Sequence, residues 1–124
     1  MDVKFLKCEK CGSVVINLWP GEEGVCEGGP TELVAGSVDA AREKHIPVVT
    51  VDGQKVHVEV GEVPHPMTEP HLIARIVLVT KKGYQVAELT PEDAPVADFM
   101  MVEGDEAVKV YEYCNLHGLW VKEL

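Results

Sequence analysis

Residues 55–60 read Lys-Val-His-Val-Glu-Val (KVHVEV). Polar and apolar residues alternate without a break, which is the period of a half-buried β-strand. Val56, Val58 and Val60 are therefore expected to face a core, with Lys55, His57 and Glu59 towards solvent. Just upstream, Pro47 to Asp52 (PVVTVD) is β-branched and ends at Asp52-Gly53, a turn signal. The two segments predict an antiparallel hairpin.

Working outward, the same pattern recurs. Ile73 to Thr80 (IARIVLVT) reads as a more continuous apolar strand closed by Lys81-Lys82-Gly83, and Tyr84 to Leu89 as its antiparallel return. Phe99 to Val102, Ala107 to Tyr113 and a short segment after Trp120 complete six or seven strands. Helical character is confined to Val38 to Lys44 (VDAAREK). Short strands with regular turn signals predict an all-β antiparallel sandwich.

The first 36 residues differ from the rest. They hold three of the four cysteines, six of the eleven glycines and two of the eight prolines. A stretch such as PGEEGVCEGGP cannot pack a core by itself, so residues 1–36 read as a small loop-rich knuckle. A boundary near Gly36 separates it from a sandwich over residues 37–124.

Composition narrows the function. The chain has 124 residues and a formal net charge of −10. An acidic surface repels phosphates, which argues against nucleic-acid binding. No apolar run approaches the roughly 20 residues of a membrane span. The start, MDVKFLKCEKCG, has no apolar h-region of a secretory signal, so the expectation is a cytoplasmic protein. In that compartment four cysteines suggest metal binding rather than disulfides.

Four of the five histidines sit in proline- or glycine-punctuated loops: His45 before Ile46-Pro47, His65 between Pro64 and Pro66, His71 after Pro70, and His117 before Gly118. Cys114 lies three residues before His117. A single histidine is more often a surface or core residue than a ligand, and His57, on the polar phase of its strand, reads that way. The conjunction of four loop histidines with a cysteine is what points to a metal. Imidazoles suit iron, zinc, copper or nickel, and one thiolate favours a softer ion. Five donors exceed the four of a closed structural zinc site and leave one position of a six-coordinate ion open for chemistry.

The segments EKHIP (43–47), GEVPHPMTEPH (61–71) and YCNLHGLW (113–120) closely resemble the desulfoferrodoxin and neelaredoxin family of superoxide reductases, in order along nearly the whole chain. KCEKCG (7–12) resembles the small desulforedoxin-like domain that precedes the catalytic domain in desulfoferrodoxins. The resemblance implies an immunoglobulin-like β-sandwich with one iron near its surface. It makes His45, His65, His71 and His117 equatorial ligands and Cys114 the axial one, with the last histidine binding through a different ring nitrogen from the others. The implied reaction is one-electron reduction of superoxide to hydrogen peroxide. Lys44 is implied as the lure for the anion, and Glu43 as occupant of the sixth position in the resting ferric state. A rubredoxin-type electron donor and a homodimer or homotetramer are implied as partners.

Two departures from the family pattern stand out. Its two-iron members hold a second iron with a Cys-x-x-Cys followed later by adjacent cysteines. Here Cys8, Cys11 and Cys26 are followed by Glu27 where the fourth cysteine would stand. The site is then empty, or binds zinc or iron through three thiolates and an oxygen, or loses two thiols to a disulfide. A single iron per chain is the expectation. The stretch after His71, HLIAR (71–75), also carries Leu72 and Arg75 where family members often have aromatics, which alters packing beside the site and removes no ligand. Two rival classes remain in view: a rubredoxin-like electron carrier, which needs an intact tetrathiolate, and a non-catalytic metal-binding domain.

Overall fold

The computed structural model describes residues 2–22 and 28–124, so Cys26 and Glu27 lie outside the described residues. The chain forms two compact units, Asp2–Val34 and Ala35–Leu124. In the first, β1 (Phe5–Lys7) lies between β2 (Val14–Ile16) and β3 (Thr31–Glu32), all antiparallel. This small sheet was not anticipated from the sequence. Its strands are two or three residues long, too short for any alternation to register.

The second unit is an immunoglobulin-like antiparallel β-sandwich. A single helical turn, α1 (Arg42–His45), precedes β4 (Pro47–Asp52), β5 (Lys55–Val60), β6 (Ile73–Thr80), β7 (Tyr84–Glu88), β8 (Val96–Met100), β9 (Ala107–Cys114) and β10 (Gly118–Glu123). One sheet has the order β10-β9-β6-β7 and the other β4-β5-β8. β5 is central in the smaller sheet, with Val58 opposite Val49 on one side and Ala97 on the other. Val56, Val58 and Val60 are buried against Ile73, Ile76 and Leu78 of β6, Phe99 of β8 and Val110 and Cys114 of β9. Removing each such side chain from water contributes about 1.5–3 kcal/mol.

The differences from the expected elements have local causes. The helix expected over Val38 to Lys44 is only Arg42–His45. The pyrrolidine ring of Pro47 disfavours helical backbone at the residue before it. Ile46 is accordingly extended (φ −72°, ψ 121°), and the turn stops at His45. β8 begins at Val96 rather than Phe99, because it follows β5 back to the Glu59–Val96 pair. β10 begins at Gly118, directly opposite Cys114, and not after Trp120. The β4–β5 loop is Gly53-Gln54, and Gly53 has the positive φ (60°) that a type II′ hairpin needs at its first loop position.

His57 faces outward as expected, half-exposed between two carboxylates. Its Nδ1 lies 2.7 Å from Asp98 Oδ1 and its Nε2 3.2 Å from Glu59 Oε1. The Asp98 bond, then the Glu59 bond, raises the His57 pKa above the ordinary imidazole value, and His57 in turn lowers that of Asp98. The sign follows by linkage. A raised folded pKa gives stability that is complete below about pH 6.5 and is lost as pH climbs through the folded value. Solvent screening keeps the contribution small. An NMR titration of the imidazole signals is expected to place the His57 midpoint above 6.5 and to return it towards that value in Asp98→Asn; an unmoved midpoint would refute the pairing.

Candidate metal centre

Five donors converge at one end of the sandwich, each delivered by a different local device. His45 is the last residue of α1, fixed by the Pro47 stop. His65 lies in the loop after β5, and its N–H donates to Val60 O at 3.1 Å. His71 is held by reciprocal backbone hydrogen bonds with Thr68, both 3.0 Å. Cys114 ends β9, and His117 sits in the three-residue turn to β10 that closes on Gly118 (φ 79°). β6 has a register irregularity between Ile73 and Arg75, where Ile73 faces Cys114 and Arg75 faces Tyr113. Bulges of this kind recur beside functional sites because they re-aim neighbouring side chains.

The donor atoms of His45, His65, His71, Cys114 and His117 all lie within 4.8 Å of one another. The rings form a cycle. His45–His65, His65–His71, His71–His117 and His117–His45 have centroids 4.6, 4.5, 4.8 and 5.0 Å apart, each pair close to perpendicular. His45 and His71, across the cycle, are 6.3 Å apart and only 27° from parallel. The diagonal exceeds every side, as the corners of a square require. His45, His65 and Cys114 are buried, while His71 and His117 are half-exposed, so the array is closed inward and open outward.

Hydrogen bonding on the far side of each ring decides which nitrogen is offered. His45 Nδ1 is 2.6 Å from Ala41 O, and His65 Nδ1 is 2.7 Å from Pro66 O. A carbonyl only accepts, so both Nδ1 atoms carry the proton and both Nε2 atoms present a lone pair. Those two Nε2 atoms face each other at 3.1 Å. Burial lowers both pKa values, that of His65 to about 4, so neutral rings prevail at pH 7. Two acceptors at that separation repel unless a cation lies between them. His71 Nε2 is buried with no partner, and His117 turns Nδ1 rather than Nε2 towards His45 Nε2, at 3.2 Å. Cys114 Sγ is 3.6 Å from His65 Nε2 and accepts the His117 N–H at 3.3 Å. Burial pushes the free thiol of Cys114 up, and hydrogen bonds from the backbone of His117 and Leu116 oppose it.

These features fit one resident metal ion. Neighbouring nitrogens about 3 Å apart are what metal–nitrogen bonds of about 2.0–2.1 Å at right angles require. Four imidazoles with one thiolate suit iron among the metals that use these ligands.

Residues 37–123 match the Desulfoferrodoxin family. This chain belongs to the desulfoferrodoxin family. A desulfoferrodoxin from Syntrophotalea carbinolica is 45% identical, the alignment covering 98% of this chain and 96% of that protein. A superoxide reductase from Pyrococcus horikoshii is 34% identical, over 71% of this chain and 91% of that one. The crystal structure of the superoxide reductase from Treponema pallidum superposes with a TM-score of 0.81 at 39% identity, covering 99% of this chain and all of that chain. The cluster is thus the single His4Cys iron site of a desulfoferrodoxin.

Lys44 and Glu43 share the turn that carries His45. Burial is the main cause that lowers the pKa of His45 and His71, and the Lys44 charge adds the smallest of the effects on each. Glu43 is exposed, lines a cleft with Arg42, Glu62 and Lys122, and is outside the five-donor cluster. Leu72 is buried beside the site, whereas Arg75 is exposed and turned to Glu88 at 3.7 Å.

Several supporting residues were missed from sequence. The Asn115 side chain accepts the Leu72 N–H at 2.9 Å and donates to Glu69 O at 2.8 Å, tying the Cys114–His117 turn to the His71 loop. Trp120 stacks on His45 (4.9 Å, 30°) and donates Nε1–H to His117 O. Glu112 is fully buried on β9 with both carboxylate oxygens unpartnered, and burial raises its pKa to about 9, so it is a neutral acid at pH 7. Asn115 and Trp120 stand inside the YCNLHGLW motif, which was the available signal.

Gly61 is the tightest contact at this end. A Cβ there would lie 2.6 Å from Glu43 O, 3.0 Å from Ile46 O and 3.1 Å from the Lys44 carbonyl carbon. Backbone cannot swing aside as a side chain can, so α1 would have to move, and His45 with it. Gly61→Ala is expected to cost about 1–3 kcal/mol in denaturant unfolding of the metal-free chain and to weaken retention of iron against a chelator. Gly83→Ala, with open space around it, is the control and is expected to change neither.

Proposed function

We infer that this chain is a superoxide reductase, converting superoxide to hydrogen peroxide by one electron and two protons at a mononuclear non-haem iron. The observation that carries this is the square of four inward-facing imidazoles with Cys114, closed on the protein side and open to solvent, in a member of the desulfoferrodoxin family. Iron held there supplies the electron and a Lewis acid at the open face.

The chain's own residues do the rest. We assign His45, His65, His71 and His117 as the nitrogen ligands and Cys114 as the thiolate. The carbonyls of Ala41 and Pro66 keep two of those imidazoles in the tautomer that presents Nε2 inward. Trp120, stacked on His45, keeps water from the back of that ring. Lys44 provides positive charge at the mouth, and among the described residues no ion pair engages it, whereas Lys55, Lys81 and Lys109 each face a carboxylate. Superoxide is drawn to that charge, and a water ordered by the ammonium is the nearest source of protons for the product. Glu43, one residue before Lys44 and exposed, is proposed as the carboxylate that occupies the open position in the resting state.

A rubredoxin-type protein is the proposed electron donor. A homodimer or homotetramer is the proposed assembly, supported by Leu18 and Trp19, large apolar side chains 77% and 82% exposed. Cytoplasmic residence matches a site that depends on a free thiol.

Cys114→Ser is expected to abolish superoxide reduction in pulse-radiolysis or stopped-flow assays while the four imidazoles still retain metal. Full activity would remove the thiolate from the mechanism. Lys44→Ala is expected to slow the second-order reaction with superoxide about tenfold at low ionic strength, the deficit shrinking as salt screens the charge. An unchanged rate at low salt would overturn its role.

A further inference from the structure

Cys8 and Cys11 belong to the first unit, are not among the five donors of the iron site and have no part in the reaction above. They begin and end one hydrogen-bonded turn. Gly12 N–H donates to Cys8 O at 2.8 Å, Cys8 N–H donates to Ser13 O at 2.9 Å, and Gly12 takes the positive φ (78°) that lets the chain turn away after Cys11. Residues three apart in such a turn face the same side. Cys11 N–H donates to Cys8 Sγ at 3.4 Å. Cys8 is therefore the sulfur that receives a backbone hydrogen bond, and Cys11 the exposed thiol at the other end of the turn. Lys7 precedes Cys8 and Lys10 precedes Cys11 in an otherwise acidic chain, and the Glu9 carboxylate is engaged by the Thr31 hydroxyl at 2.7 Å. Among the described residues no histidine, carboxylate or third cysteine joins the two in a metal-binding group.

We propose that Cys8 and Cys11 form a redox-active dithiol that hydrogen peroxide, the product released at the iron site, oxidises to a disulfide. The peroxide source rests on the superoxide reductase reading; the thiol chemistry does not. The Cys8 thiolate attacks one peroxide oxygen, the O–O bond breaks, and the departing hydroxide takes a proton to leave as water. Cys8 is now a sulfenic acid. The Cys11 sulfur attacks the Cys8 sulfur, the S–S bond forms, the S–O bond breaks, and a second water leaves. Two thiols have given two electrons and two protons to one peroxide, and a cellular thiol of the thioredoxin or glutathione class restores them by exchange. Cys-x-x-Cys spacing supports this order, because it stabilises the thiolate of one cysteine and keeps a resolving thiol within reach.

The test uses the full-length, iron-loaded protein, reduced and desalted without oxygen, then given hydrogen peroxide in excess of the electrons held by the ferrous iron and the dithiol together. Thiol titration after denaturation is expected to show a loss of two thiols per chain. Trypsin cuts after Lys7 and Lys10, so the disulfide is expected as a link between the Cys8-Glu9-Lys10 peptide and the peptide starting at Cys11. Cys26→Ser should retain that link, and Cys11→Ser should instead trap Cys8 as a dimedone adduct. A parallel arm generates superoxide in place of added peroxide. If it alone fails, the reductase reading is at fault and the dithiol stands. Thiols unchanged by added peroxide, a link that requires Cys26, or zinc or iron on the isolated protein that protects both thiols would each overturn the proposal.

Discussion

The lone pairs of His45 Nε2 and His65 Nε2 point at each other across 3.1 Å, and most of this end of the sandwich serves to keep them there. Left alone, the rings would relieve that repulsion by rotating or by protonation. Rotation would break the bonds to Ala41 O and Pro66 O, and burial disfavours the charged imidazole. The arrangement is stable only when a cation takes the shared space. The donor geometry is therefore the one that a bound cation satisfies, with the supporting hydrogen bonds holding the rings towards it.

Holding four loops in that geometry requires a rigid base. β5 is the central strand of its sheet and β6 one of the two inner strands of the other, and both adjoin the ligand loops, His65 after one and His71 before the other. Cys114 is itself part of the packed core, opposite Ile73. A core of native density does not yield to small forces, so the thiolate position is set by the packing of the two sheets. The imidazoles are set by hydrogen bonds at the rim. Asn115 joins two of the rims, and the absence of a side chain at Gly61 lets α1 sit directly on the loop that carries His65.

What the sequence disclosed follows from the range of the forces involved. KVHVEV showed its strand and its buried face because alternation is a local property, and Val56, Val58 and Val60 are all buried. The five donors were legible because histidines beside prolines and glycines are rare as a set, and the family motif supplied their roles. The extent of β8 was not legible. Pairing with β5 decides where it starts, and pairing is non-local. The backbone partners were invisible for a different reason: Ala41 and Pro66 act through carbonyls, which every residue has. The nitrogen that His117 presents is likewise a matter of ring rotation, and only the family resemblance hinted at it. Glu112 shares the strand phase of Val110 and Cys114, so alternation alone places it inside, though only its surroundings reveal a neutral acid there.

An acidic protein that captures an anion is less paradoxical than its net charge of −10 suggests. At physiological salt the Debye length is about 8 Å, so carboxylates elsewhere on the surface contribute little at the mouth of the site. Several of them are also neutralised by lysines and an arginine drawn into ion pairs along the strands. Within that distance the proposed lure, Lys44, and the ion of the His4Cys site outweigh the distant carboxylates. On the proposed role, the same short range accounts for Lys44 standing on the turn that delivers His45. A cation placed one sheet away would be screened before it could act, whereas on α1 its position is fixed by the same Pro47 stop and Gly61 contact that fix the ligand. His45 and Lys44, the proposed lure, are thus placed by one local structure, and the backbone of neither can be moved without moving the other.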